Sequence, residues 1–412
     1  VNILVGFVVL LMGSSAQAGD SLESLMQALS SEDAAARAEA ACRIGRLGFR
    51  AKGAVTALVE LLSDASAVED IDCDHRGWHN SAGRWETSPG RQAARALADI
   101  GNRSFDPLVL ALDGISWAAR KNAAFALGRL ENERAVAPLA ALFSDAMPAV
   151  REQAAWALGR IEHPDALAPL VDALEKDSHD RVREQAAWAL GRLEDESAVS
   201  PLAAALQDTS ARVREQAAWA LGKLDVRSAV PALSKALSDD EARVREQVSW
   251  ALGKIEDKGA LPALIAAMGD SSDDVREQTA WALGRIEDES AVDVLVKGLG
   301  DGSPDVREQS AWALGRIESS RGRDGLEQAL SDADADVREQ AAWALGRIAD
   351  RAAVPALIRA LGDKKSDVRE QAAWALGKIA DARAVDALGD ALKDEEADVR
   401  EQAAWALGRV TR

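Results

Sequence analysis

The segment VREQAAWALGRI at Val150–Ile161 returns eight more times along the chain, with its tryptophan at 156, 188, 219, 250, 281, 312, 343, 374 and 405. The first interval is 32 residues and every later one is 31. A fixed period of this length is the mark of a stacked array, in which each short unit buries its apolar side only against its neighbours. The 412 residues therefore need not share one core or divide into conventional domains.

Composition adds exclusions. With 48% apolar residues the chain has ample material to bury and is not disordered as a whole. A formal charge of −19 argues against a nucleic-acid partner, which requires a concentrated basic surface. Two cysteines, Cys42 and Cys73, do not make a disulfide-built scaffold. Residues 1–18 stand apart: an apolar run of about a dozen residues precedes Ala16-Gln17-Ala18, the pattern of a secretion signal and its cleavage site. The run is shorter than the roughly 20 residues a membrane span needs. No basic stretch precedes it, and the sequence opens on Val1. These features predict a secreted or periplasmic protein of the bacterial envelope with no integral membrane domain.

The rest of the chain resolves into pairs of short helical segments. Three divergent pairs occupy 19–130, interrupted by an inserted loop at 65–89, and nine near-regular pairs fill 131–412. In the first divergent pair Arg37, Cys42 and Gly45 align with Arg151, Trp156 and Gly159, and in the third Phe125 takes the tryptophan position. Each regular unit opens with a short apolar helix such as 230–237, often with proline in its first turn, where a missing N–H does no harm. An Asp/Ser-rich turn follows, with Ser210, Ser272, Ser303 or Asp334 as the expected N-cap of the second helix. The acid in such turns, as at Asp239-Asp240-Glu241 and Asp394-Glu395-Glu396, reads as charge that keeps the array soluble.

At 100° per residue, Val150, Ala154, Ala157, Leu158 and Ile161 share one stripe of the second helix and form its core side. Glu152 and Trp156 fall opposite, with Gln153 and Arg160 on a flank. The motif Asp336-Val337-Arg338, Ala341-Ala342, Ala344-Leu345-Gly346 and the following Ala353-Val354-Pro355 to Leu357 resembles the HEAT family, in the short-unit form similar to phycobilisome-lyase repeats. The resemblance covers about residues 20–412. It implies an all-α, right-handed α-solenoid of about twelve two-helix repeats, with second helices lining a concave, ligand-facing surface. It says little about function, because such folds host many roles.

Across the nine regular units the Glu, Gln and Trp never change, while first helices vary freely and the core Ala154 becomes Val248, Thr279 or Ser310. The expected face therefore comprises Trp156, Arg160, Trp188, Arg192, Trp219, Lys223, Trp250, Lys254, Trp281, Arg285, Trp312, Arg316, Trp343, Arg347, Trp374, Lys378 and Trp405. Two accounts of its constancy stand side by side. One is a self-supporting ladder, each Arg stacking on the Trp one turn before it. The other is an aromatic track for a protein or extended polymer, with Trp and Arg as anchors. With one acid and one base per unit, the face is expected to be near neutral.

The insertion holds Asp70, Asp72, Cys73, Asp74, His75, Trp78, His79 and Trp85. Cys73, His75 and His79 are weak metal candidates, because their spacing matches no standard zinc pattern. A Cys42–Cys73 disulfide suits an exported chain better. No cofactor is expected. The four histidines are followed by Arg76, Asn80, Pro164 and Asp180, which removes the His-Glu iron ligands of the HEAT-built deoxyhypusine hydroxylases. There is no nucleophile–base pair or Gly-rich phosphate loop. The expectation is a non-enzymatic binding scaffold, capable of end-to-end association through its last repeat. The alternative is a lyase-like or metal-dependent enzyme, or a subunit of one, with its chemistry in the insertion.

Overall fold

The computed structural model describes residues 21–69 and 86–411. Among them are 24 α-helices packed in consecutive pairs, an α-solenoid of roughly twelve two-helix repeats. Two compact units divide it, residues 1–169 and 170–412. In the first unit the second helices of repeats 1–4 are Ala34–Arg46, Pro89–Ile100, Trp117–Leu130 and Pro148–Ile161. In the second unit those of repeats 5–12 are Asp180–Leu193, Ala211–Leu224, Ala242–Ile255, Asp273–Ile286, Pro304–Ile317, Ala335–Ile348, Ser366–Ile379 and Ala397–Val410. Antiparallel strands Val68–Glu69 and Glu86–Thr87 flank residues 70–85. No helix among the described residues is long and apolar enough to cross a membrane.

A regular repeat begins with a single 3₁₀ turn such as Lys258–Ala260, capped by the Asp257 carboxylate, which accepts the Gly259 N–H at 2.7 Å. The first helix, Leu261–Ala267, carries Pro262 in its opening turn and buries Leu261 and Leu264. The second helix buries Val275, Ala282 and Leu283 completely. It ends on Glu287 in the left-handed region at φ 53°. Acidic residues occupy that strained position at the end of seven of the second helices, from Glu131 to Glu318. This places negative charge at the negative end of the helix, an arrangement that calls for a cation nearby.

The turn between the two helices corrects the expectation drawn from its acidity. Asp301 does not float in solvent. Its carboxylate takes two parallel bonds from Arg276 of the preceding repeat, Nε to Oδ2 and Nη2 to Oδ1, both at 2.8 Å. Oδ1 also accepts the Ser303 N–H at 2.9 Å, and the Asp301 carbonyl accepts from Arg307 Nη1 at 2.9 Å. The same set recurs at Asp208, Asp239, Asp270, Asp332 and Asp363. The Arg37–Asp64 and Arg120–Asp145 pairs of the first unit are its counterparts. Each aspartate thus joins one repeat to the next through a bidentate, half-buried pair, the strong form of a charged hydrogen bond. This also explains the capping serines. Ser210, Ser272 and Ser303 hold the N-cap position but make no side-chain cap bond, whereas Asp334 accepts from the Asp336 N–H.

Within the second unit, the uniform aliphatic core is broken by hydroxyl side chains in the middle. There Ser249 Oγ and Thr279 Oγ1 form a buried hydrogen bond at 3.0 Å between repeats 7 and 8. In repeat 9 the Ser310 hydroxyl fills the space that a β-carbon on Gly298 would claim.

Candidate functional site

Trp156, Trp188, Trp219, Trp250, Trp281, Trp312, Trp343 and Trp374 are all half-buried, and Trp405 is exposed at 40%. Trp156, Trp219, Trp250, Trp281, Trp312, Trp343, Trp374 and Trp405 each lie against the glycine near the end of the preceding second helix. The Trp343 ring edge lies against Gly315 of the preceding repeat, and Ala344 presses on the same glycine. The relation repeats from Trp156 on Gly128 and Trp219 on Gly191 to Trp405 on Gly377. Glycine is required here because successive second helices meet backbone to backbone, and the indole wedges into the remaining gap.

The basic member of the motif is also engaged. Arg285, Arg316, Arg347, Lys378 and Arg409 lie 5.6 to 5.8 Å from the centroids of Trp281, Trp312, Trp343, Trp374 and Trp405, within cation–π range. Arg160, Arg285, Arg316 and Arg347 pair with the left-handed glutamates Glu131, Glu256, Glu287 and Glu318 of the preceding repeats. Lys223 does the same with Glu194 at 3.2 Å. At these five helix ends the cation that the acidic residue calls for is supplied by the next repeat.

The remaining two motif positions are different. Among the described residues, Glu246, Glu277, Glu308, Glu339 and Glu370 form no hydrogen bond or ion pair, nor do the glutamines from Gln216 to Gln371 beside them. Burial raises the carboxyl pKa of these five glutamates above the ordinary value, and neighbouring Asp274, Asp305, Asp336, Asp367 or Asp398 adds to the rise. Those aspartates occupy the position just before the motif valine. Repeats 5–7 carry Arg181, Arg212 and Arg243 there instead, and Arg243 reaches Glu215 at 3.5 Å. With Arg285, Arg316 and Arg347 occupied by helix ends, the face of repeats 8–10 is acidic rather than neutral, whereas Lys378 and Arg409 of repeats 11 and 12 follow helices that end on Ala349 and Ala380.

The divergent repeats reverse the sign, a feature not anticipated from sequence. Arg91 and Lys121 stand where the regular repeats have Glu, and Arg95 and Phe125 where they have Trp. Phe125 stacks on Trp156 with centroids 5.2 Å apart and planes at 22°. The Arg91 guanidinium lies 3.2 Å from the Phe125 centroid. Burial, with the charges of Arg95 and Arg129, brings the Arg91 pKa down to about 9. The basic substitutions at the Glu position were the available signal.

Cys42, at the tryptophan position of repeat 1, is disulfide-bonded. Cys73, its expected partner, lies outside the described residues, as do the metal candidates His75 and His79. No group of three or more metal-ligating side chains occurs among the described residues.

A family model described as HEAT repeats matches residues 105–191, 138–221, 199–283, 261–330 and 323–408. Among solved structures, yeast importin-β (Kap95p) matches 96% of this chain over 69% of its own, at 13% identity and a TM-score of 0.57. Kap95p in its complex with RanGDP matches 94% over 68%, at 13% identity and a TM-score of 0.56. An engineered protein matches 95% over 99% of its own chain, at 22% identity and a TM-score of 0.44. No curated protein matches the sequence.

Proposed function

Because the chain belongs to the HEAT-repeat family, we propose that it is a non-enzymatic binding scaffold whose second-helix face engages a protein or extended polymer. The row of glutamates carries this reading. Stack contacts account for the motif's Trp, Gly and Arg, but Glu246, Glu277, Glu308, Glu339 and Glu370 are held unpaired beside other acids, at a cost to stability. A residue kept through nine repeats, in five of them against its own electrostatics, fits a role in binding better than one in folding. The partner that suits the row is a basic segment, its Lys or Arg side chains meeting successive carboxylates, with the half-buried indoles alongside. Kap95p, which shares the fold, binds RanGDP, which gives a precedent for the mode only.

The 31-residue unit places the array, in our reading, with the short phycobilisome-lyase-like class. The signal-like residues 1–18 support export to the bacterial envelope. The test is titration of an octalysine peptide into the wild type and into a variant with all five glutamates replaced by glutamine. The variant should be more stable than the wild type and bind about tenfold more weakly or worse. Equal affinity in the two proteins would overturn the proposal. A folded Trp281→Ala variant that binds like the wild type would confine tryptophan to the stack.

A further inference from the structure

The structure assigns a second, oppositely charged binding site to the first unit, centred on Arg91 and Lys121, which takes a carboxylate-rich segment of a partner polypeptide. It rests on none of the reasoning about the glutamate row, and its ligand is of the opposite sign.

The site is built on two neighbouring second helices, Pro89–Ile100 and Trp117–Leu130. Trp156 and Phe125 form an aromatic stack, and the Arg91 guanidinium closes it, 3.2 Å from the Phe125 centroid. Stacking fixes the guanidinium plane and leaves its N–H edge as a preformed fork. One nitrogen, Nη1, reaches Gln153 Oε1 at 3.4 Å, a long and neutral contact. Neither Arg91 nor Lys121 forms an ion pair among the described residues. Further positive charge surrounds them: Arg95, one turn along the same helix, and Arg129, which contacts Asp99 at 3.3 Å.

Arg95 and Arg129 repel Arg91, and Arg91 repels Lys121, with Glu152 offsetting part of the last. The Arg91 pKa falls to about 9 through burial and the charges of Arg95 and Arg129, and burial with the Arg91 charge lowers that of Lys121. An anion would convert the repulsion into attraction. A planar carboxylate suits the stacked fork, since guanidinium and carboxylate pair through two parallel bonds. Neighbouring helices lie roughly 8–10 Å apart. On a polyproline-II-like chain, which rises about 3.1 Å per residue with about three residues per turn, a second carboxylate about three residues along would face the same side and reach Lys121. That spacing favours a peptide carrying several acids over a single small anion.

The probe is hexaglutamate, titrated calorimetrically into the full chain at low salt. The wild type should bind it, with affinity falling as salt rises. Arg91→Met should weaken binding about tenfold or more and Lys121→Gln about threefold or more. Arg134→Gln, which removes a cation from the exposed Arg134–Asp106 pair, should leave binding unchanged. Should Arg91→Met fail to fold, Lys121→Gln decides, because its amine makes no bond in the fold. Absence of hexaglutamate binding to the wild type, or equal binding by the wild type and the folded variants, would overturn the assignment. So would a site that takes inorganic phosphate but not hexaglutamate, since it would then hold a free oxyanion and not a peptide. Octalysine binding by the glutamate row is measured separately, so either reading can fail without the other.

Discussion

Gly315 lies inside the helix Pro304–Ile317, where glycine ordinarily costs about 1 kcal/mol relative to alanine. By propensity alone, Gly315→Ala should stabilise the protein. The geometry says otherwise. A β-carbon there would stand 2.5 Å from Trp343 Cζ3 and 2.9 Å from both Cα and Cβ of Ala344. An indole can tilt away, but Ala344 belongs to a neighbouring helix and is fully buried, so the two helices must separate. Overpacking of this kind costs about 1–3 kcal/mol, and rigid backbone contact puts Gly315 near the upper end. After the propensity gain is deducted, the net loss should be about 2 kcal/mol. Gly408 is the internal control, since it has the same register in repeat 12 and nothing within 4 Å of the added carbon. Gly408→Ala should therefore gain up to about 1 kcal/mol. Urea unfolding followed by circular dichroism would give both values. Hydrogen exchange of the flanking helices would locate the change, because repeat arrays lose cooperativity with length. If Gly315→Ala raises the midpoint as Gly408→Ala does, the close approach of the second helices is wrong.

Two further outcomes are expected. Asp301→Asn removes a bidentate acceptor whose side chain is 15% exposed and should cost about 2 kcal/mol, while Asp293→Asn, in an exposed pair with Arg321, should cost almost nothing; equal midpoint shifts would refute the distinction. The pH profile should turn over on the acid side. Burial raises the folded pKa of Glu277, Glu308 and Glu339 above the ordinary 4.5, so stability should rise as pH falls from 7 towards that value. Hydrogen bonds from arginine hold Asp270, Asp301 and Asp332 below 3.8, so their contribution is present above 3.8 and is lost as pH falls through the depressed folded values. Thermal melts across this range would show the maximum, and Glu277→Gln with Glu308→Gln should flatten its neutral-side slope; an unchanged slope would exclude the glutamate row as its source.

The period was enough to read the architecture, because one helix–turn–helix unit repeated at 31 residues has few ways to bury its apolar stripe. The core positions Val150, Ala154, Ala157 and Leu158 are fully buried, as the helical wheel indicated, while Ile161, at the end of the same stripe, is only half-buried. What the wheel misses is the neighbour. It places Trp156 opposite the core of its own helix, but the adjacent second helix occupies much of that side and half-buries the ring. The turn aspartates were misread for a similar reason. Asp239 looks like surface charge until Arg214, 25 residues earlier, is seen to clasp it. That Arg-to-Asp interval, constant through the second unit, is visible in the sequence, but its meaning depends on how far one repeat is shifted along the next. The left-handed glutamates leave no trace at all, since acid at a helix end is not a recognised stop signal. The net charge of the face was hidden with them, because it depends on which arginines they occupy.

The buried pair Ser249–Thr279 and the fit of Ser310 to Gly298 have a consequence for folding. Repeats this alike are nearly interchangeable, so a chain that skipped one unit while folding would bury almost the same surface. Most of the array cannot tell repeat 9 from repeat 10. At these few core positions a skipped unit is felt, because a seryl hydroxyl would face methyl groups and be left unsatisfied, or Ser310 would meet alanine where it now meets glycine. They act as place marks, giving an otherwise periodic chain a way to count.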